Sequence, residues 1–309
     1  MTNDRTTPVT IIGAGVSGVA SALGLRDAGV PFRLVERGRA VGGRMASPMV
    51  AHRRVDIGAG YFTVRDKGFA EVVDGWASAG LAREWTDTFG VLRLGADPET
   101  TTGPIRWAAA GGLRSLVRAL LGDIPVDLGT ELAELPTGDL VLAMPDPQAS
   151  RLSPVPEPVD YQPVLAAVLQ FEQRTWPFVN AAFVNDHPTI GFVADDGARR
   201  GDGAPVLVVH STDKFARAHL EHPDAALPSL VAAARELMAL PEPVRAHVHR
   251  WTFAKPSSQH NTTHGLRETE GRLIGFAGDQ WCPDGAPRVE SAWRSGTELA
   301  AAIVAKYSS

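Results

Sequence analysis

VTIIGAGVSG, residues 9–18, decides the fold. Val9 to Ile12 is a short apolar run that reads as a buried strand, and the six residues after it match G-x-G-x-x-G without exception. Gly13 suits the tight turn after the strand. Gly15 suits close approach of backbone to a pyrophosphate, and Gly18 suits close packing of helix on strand. The helix that follows adds free N–H groups and a partial positive charge at its start, both favourable to an anion. Ser17 to Ala28 reads as that helix, stopped at Gly29, and Phe32 to Glu36 reads as a second strand. The unit has the length that a parallel strand-helix-strand crossover needs. Glu36 closes it 18 positions beyond Gly18. A carboxylate there can accept both hydroxyls of an adenosine ribose, and it would repel a ribose phosphate.

The next stretch, ERGRAVGGRM (36–45), bears on which dinucleotide is held. Gly42 and Gly43 offer a second bare-backbone turn close behind the acidic residue, and Arg44 adds a cation. A nicotinamide dehydrogenase has no need of a second clamp. An extended FAD does, because its pyrophosphate and ribityl chain run on past the first loop. Together with DIGAGYFTVRD (56–66), these motifs resemble the flavin-dependent amine oxidase superfamily, and within it the renalase-like flavoproteins, notably the bacterial ones. The resemblance continues through DLVLAMPDPQASRL (139–152), HRWTFAKP (249–256), FAGDQWC (276–282) and RVESAWRSG (288–296), so it spans nearly the whole chain. One departure stands out: the family's GAQYFT appears here with Gly60 in place of glutamine.

The resemblance implies a non-covalent FAD. The glycine loop (Gly13, Gly15, Gly18) and Glu36 would bind it with Arg37, Gly42, Gly43, Arg44 and Met45, and then with Gly58, Ala59, Gly60, Tyr61 and Phe62. Leu132 would pack near the adenine. Gly278 and Asp279 would meet the ribityl chain or the pyrophosphate. Arg288, Val289, Glu290 and Ala292 would present a helix N-terminus to the flavin pyrimidine edge, where negative charge develops on reduction. Tyr61, His249, Trp251 and Trp281 are the expected substrate-pocket residues. His249 and Trp251 are two apart, so on a strand they share a face. Many amine oxidases place a lysine near flavin N5. Lys255, in FAKP, is the one candidate offered, and its spacing reads as a surface lysine. Cys282 raises covalent flavin attachment, but a buried small hydrophobe is the simpler reading. Trp293 reads as helix packing.

The bulk numbers set bounds. The chain has 309 residues, 44% hydrophobic and 21% charged, with a net charge of -5. Nothing in that balance points to nucleic acid or to a membrane surface. The apolar run Ile11 to Leu25 is broken by glycines and does not read as a signal peptide. One cysteine fits a reducing, cytoplasmic setting. His247 with His249, and His260 with His264, are too sparse to read as a metal centre, so no metal is expected. No nucleophile elbow and no phosphate-binding P-loop occurs.

Further helices are expected at Lys67 to Ala79, 111–121, Leu227 to Leu240 and Ser291 to Lys306. Further strands are expected at Leu140 to Ala143, 164–171, 178–184, 189–194, 205–210, 244–253 and 273–279, with a proline-rich crossover at Pro154 to Pro163. The expected fold class is α/β plus α+β. A discontinuous Rossmann-type FAD-binding domain (1–65, 105–155, 268–309) is paired with a smaller antiparallel-sheet substrate domain (66–104, 156–267). By resemblance, the expected activity is oxidation of a small molecule, a 2- or 6-dihydro isomer of NAD(P). Hydride would pass to the flavin and then to O2, giving NAD(P)+ and hydrogen peroxide. A flavin amine oxidase and a non-catalytic FAD-binding sensor are the alternatives. The sequence leaves the oligomeric state open.

Overall fold

A computed structural model describes residues 7–308. β1 (Val9–Ile12), α1 (Val16–Asp27) and β2 (Phe32–Glu36) form the opening crossover. β3 (Met49–Val50) and β4 (Arg53–Arg54) make a small hairpin. α2 (Lys67–Ser78) leads to a long hairpin of β5 (Arg83–Leu92) and β6 (Glu99–Ala108). α3 (Leu113–Leu121), β7 (Val126–Leu128), β8 (Leu140–Leu142) and the short α4 (Asp146–Ala149) come next. β9 (Tyr161–Gln170), β10 (Ala181–Val184), β11 (Ile190–Asp195), α5 (Asp196–Arg200), β12 (Val206–Ser211), α6 (Asp213–Ala218), α7 (Pro223–Met238) and β13 (Arg245–Pro256) fill the middle. β14 (Gly265–Thr269), β15 (Arg272–Phe276) and α8 (Val289–Tyr307) close the fold.

The strands divide into two main sheets. The first has the order β14-β15-β8-β1-β2-β7 and is parallel except for β14, which runs antiparallel to β15. β1 and β8 are buried along their whole length, which explains their unbroken apolar runs. The chain therefore leaves this sheet, builds another, and returns to it with β14 and β15. On the return, α8 crosses α1 at small residues. Ser21 Oγ donates to the Gly296 carbonyl at 3.0 Å, and a Cβ on Gly296 would sit 2.0 Å from the Ser17 carbonyl oxygen.

The second sheet has the order β13-β9-β12-β11-β10-β5-β6. It is antiparallel apart from β10 and β5, which pair in parallel. One face, with Leu165, Leu207 and Val248, packs on Leu230 and Ala234 of α7. The other face, with Ala166, Val168 and Val208, packs on Val55 and Ile57. That second contact lays the sheet over the DIGAG segment of the first half.

Several elements differ from the sequence expectation. β5, β6, β7 and β14 were not foreseen. β6 is the edge strand and most of it is exposed, so its threonines carry no alternating apolar signal. β14 begins at Gly265, ahead of the boundary expected at 268, and β6 runs to Ala108, past the one expected at 105. α7 starts at Pro223 and passes through Pro228, where a later start at Leu227 was expected. β13 extends to Pro256 rather than ending at Phe253.

Candidate functional site

The glycine loop sorts its three glycines by what surrounds them. A Cβ on Gly13 would lie 2.4 Å from the Ala143 carbonyl oxygen, and one on Gly18 would lie 1.8 Å from the Gly13 carbonyl oxygen. These two are packing glycines. A Cβ on Gly15 would meet nothing within 4 Å, so Gly15 faces open space. Gly15 is the N-cap of α1, no side chain caps that helix, and its first turn holds no acid. The N–H groups there are free for an anion. Gly42 and Gly43 take φ of +114° and +50°, the left-handed region that favours glycine. A Cβ on Gly43 would point at the Gly15 Cα, 3.5 Å away. The two bare turns thus lie against each other. Glu36 accepts from Ala14 N–H at 2.9 Å and Gly38 N–H at 2.6 Å, which fixes its carboxylate at the end of β2.

Arg44 and Asp279 join the two ends of the chain. The guanidinium donates to both carboxylate oxygens, at 2.9 and 2.6 Å, and to the Ala254 carbonyl at 3.1 Å. The DIGAG segment lies directly on Arg44: Ala59 N–H donates to the Arg44 carbonyl at 2.8 Å, and a Cβ on Gly58 would sit 1.9 Å from that oxygen. The same segment is gripped from the second sheet. Trp251 Nε1 donates to the Ile57 carbonyl at 2.8 Å. Arg199 of α5, fully buried, donates to the carbonyls of Gly60 at 3.1 Å and Asp56 at 3.0 Å and pairs with Asp196. Asp56 itself holds Ser47 and, at 2.9 Å, Leu113 N–H. Burial raises the Asp56 carboxyl above its ordinary range, against the pull of Arg199. A Cβ on Gly60 would lie 3.0 Å from the Phe192 ring, so Phe192 stands where a side chain at position 60 would project.

The sheet face above this segment carries the candidate chemistry. In register, His249, Ala166, His210 and Phe192 form one row across β13, β9, β12 and β11. Trp251 pairs with Val164 on the same face, and its ring meets His249 edge to face at 4.7 Å. Phe192 reaches both His210, at 5.7 Å, and Tyr61, at 6.3 Å. Tyr61 also packs on Phe89 at 5.2 Å. Lys255 pairs with Gln162, which puts it on this face too. Its side chain is exposed, as expected of a surface lysine, although protein crowds it. That crowding lowers the ammonium pKa. Burial lowers the His249 pKa as well, helped by His247 and Arg250. His210 was not foreseen. Burial, reinforced by the charges of Lys255 and Arg199, pushes its pKa down to about 3.

His210 makes a test possible. The unfolded chain protonates it near its ordinary pKa, about 6.5, and the folded chain does so only near 3. Between these values the unfolded state binds the extra proton, so stability falls as pH drops, by up to about 1.4 kcal/mol per pH unit. In urea unfolding at pH 6 and pH 5, His210→Gln is expected to lose less stability than the wild type over that step. Parallel losses would show that folded His210 protonates normally.

Other expected site residues lie elsewhere. Phe62 is core, packed on Phe69, Trp76 and Trp107, and its backbone bridges to that of Trp107. Trp281 belongs to a separate cluster with Ile12, Leu142 and Phe276 and stacks on His260 at 3.6 Å, so it does not join the His249 group. Leu132 packs against that same cluster, and Arg37 pairs with exposed Glu131. Met45 is core. At the start of α8, Ser291 Oγ accepts from Arg288 N–H at 2.8 Å. Glu290 accepts from Asp66 N–H at 2.8 Å and from Arg65 N–H, while Val289 and Ala292 pack on the first core. Gly278 N–H donates to Ser295 Oγ at 3.1 Å, which aims the Asp279 turn. Trp293 packs on Phe69. His260 bonds Asp146 at 2.7 Å, and His264 bonds Thr263. Among the described residues no group of three or more could hold a metal ion, and no helix is long and apolar enough to cross a membrane.

Comparison with known proteins adds two family matches and many structural ones. Residues 11–74 match the NAD(P)-binding Rossmann-like domain, and residues 130–304 match the flavin containing amine oxidoreductases. Wild-type putrescine oxidase bound to putrescine is similar in structure, with a TM-score of 0.72 and 16% identity over 96% of this chain and 99% of that one. Cyclohexylamine oxidase from Brevibacterium oxydans IH-35A gives 0.73 and 14% identity over 98% and 99%. At such identities these likenesses speak for the fold alone.

Proposed function

We propose, on the premise that this chain belongs to the flavin containing amine oxidoreductase family and is an FAD-dependent oxidoreductase, that it oxidises a dihydronicotinamide isomer, 2- or 6-dihydro-NAD(P). When bound, FAD supplies the redox chemistry, taking a hydride from the substrate and passing the two electrons to O2 to give hydrogen peroxide. One observation carries the choice of substrate. The face of β9, β12 and β13 that covers the flavin loop presents Lys255, Trp251, His249, His247, Arg245 and His210, and no carboxylate. An ammonium substrate would find no counter-ion there. A neutral ring with an anionic tail suits it.

The chain's own residues then have simple tasks. Trp251, Phe192 and Tyr61 wall the pocket and exclude water. His249, held against Trp251, is placed to hydrogen-bond the carboxamide of the ring. The depressed pKa values of His249 and His210 keep both rings neutral at pH 7, so neither opposes the positive charge that appears on the nicotinamide as hydride leaves. The attachment of FAD is read as non-covalent: Cys282 Sγ is buried in a turn, donating to the Asp284 carbonyl at 3.1 Å.

Lys255 favours a second reading, amine oxidation, because a lysine facing the flavin resembles the amine oxidases. One experiment separates the two. The FAD-loaded protein is mixed anaerobically with 2- and 6-dihydro-NAD, with ordinary 4-dihydro-NADH, and with a diamine and a cyclic amine. Fast loss of flavin absorbance with the isomers, and slow loss with NADH, is expected. Bleaching by an amine alone would replace the first reading by the second.

A further inference from the structure

We propose that a groove beside His247 holds the ADP-ribosyl half of the dinucleotide substrate; the inference rests on the function proposed above. The groove encloses about 490 Å³ between the β3–β4 hairpin and the ends of β9, β12 and β13. Its floor is apolar, with Val55, Val168 and Val206, and Met49 forms an exposed apolar lip. Its charged lining residues are all basic, Arg53 and Arg245, with His247 beside them. Arg53 is already tied to Asp196 and Asp202 and serves as wall. Arg245 is exposed, and its side chain makes no hydrogen bond or ion pair among the described residues.

The placement of the groove connects it to the flavin. Arg245, His247, His249 and Trp251 recur every second residue on one strand, opposite Gln170, Val168, Ala166 and Val164. They therefore line a single track on one sheet face. Trp251 touches the flavin loop at one end, and Arg245 borders the groove at the other. Six residues of strand separate them, about 20 Å, comparable to the length of an extended dinucleotide. A nicotinamide at His249 would direct its diphosphate past His247 to Arg245. The adenine would lie on the apolar floor beside Met49. A guanidinium with no competing carboxylate suits a diphosphate.

The test uses the FAD-loaded protein and ADP-ribose as probe, titrated calorimetrically into wild type and Arg245→Ala. The kcat/KM ratio between a dihydronicotinamide dinucleotide isomer and the matching mononucleotide is measured alongside. Wild type is expected to bind ADP-ribose, and Arg245→Ala about tenfold more weakly. The dinucleotide-to-mononucleotide ratio should fall by a similar factor. Oxidation of the isomers with ADP-ribose binding indifferent to Arg245 would overturn the groove and leave the function standing. Arg245-dependent binding of ADP-ribose without any oxidation of the isomers would overturn the function and support the groove as an ADP-ribose site.

Discussion

A Gly15→Asp chain will purify folded and colourless. Gly15 has φ -77° and ψ -176°, a conformation open to any residue, and its Cβ position is empty to 4 Å. The fold has no reason to reject a side chain there. An aspartate at an N-cap accepts from the first turn of the helix and is stabilising over glycine, by about 0.3 kcal/mol. If this loop holds the cofactor's pyrophosphate, the same carboxylate would stand in its place. Two like charges about 4 Å apart in a partly buried site repel by about 4 kcal/mol, or about a thousandfold in affinity. The expected result is a melting temperature at or above that of the wild-type apoprotein, together with loss of flavin absorbance. A yellow variant of undiminished FAD affinity would take the pyrophosphate away from this loop. Gly18→Ala behaves differently, because its Cβ would collide with the Gly13 carbonyl. It should cost stability and cofactor together.

Arg199→Met should lower unfolding free energy by about 3–5 kcal/mol, the cost of stripping the partner from a buried charge. Arg199 is fully buried and serves Asp196, the Asp56 backbone and the Gly60 carbonyl at once. Without it Asp56 loses a buried counter-charge beside Asp196, which keeps Arg53 as partner. The Asp56 carboxyl, already raised by burial, rises further. A carboxyl with a raised pKa holds its proton in the folded state, so stability falls as pH climbs from the ordinary value, about 3.8, through the folded one. The deficit in urea unfolding should therefore be larger at pH 8 than at pH 5, and Arg199→Met combined with Asp196→Asn should recover part of it. A loss below about 1 kcal/mol would show that neither acid is charged in the folded protein.

Legibility in the sequence followed locality. The glycine loop, Glu36 and the second glycine turn are neighbours along the chain, and their spacing already specified the β1–α1–β2 crossover. His249 and Trp251, two apart on one strand, could be paired by period alone. His210, Phe192 and Arg199 could not, because their roles come from cross-strand register and from packing across the two halves. The substitution of Gly60 makes sense only once Phe192 is seen beside it. Lys255 is exposed, as expected, but its place on the face of His249 and Trp251 shows only because β13 runs on through an irregularity to Pro256. Trp281 shows the converse. Its neighbours in sequence suggested the pocket, but its ring is committed to His260 and the core.

The return of β14, β15 and α8 to the first sheet has a consequence for biosynthesis. The glycine loop leaves the ribosome before the second sheet, whereas Asp279, which braces Arg44, and α8, which packs on α1, leave after it. Between them the ribosome must deliver the entire second sheet. A nascent chain thus carries α1 and Arg44 through synthesis of the whole second sheet before α8 and Asp279 can reach them. A product interrupted within the second sheet retains the glycine motif without the Asp279 brace on Arg44 and without the packing of α8 on α1.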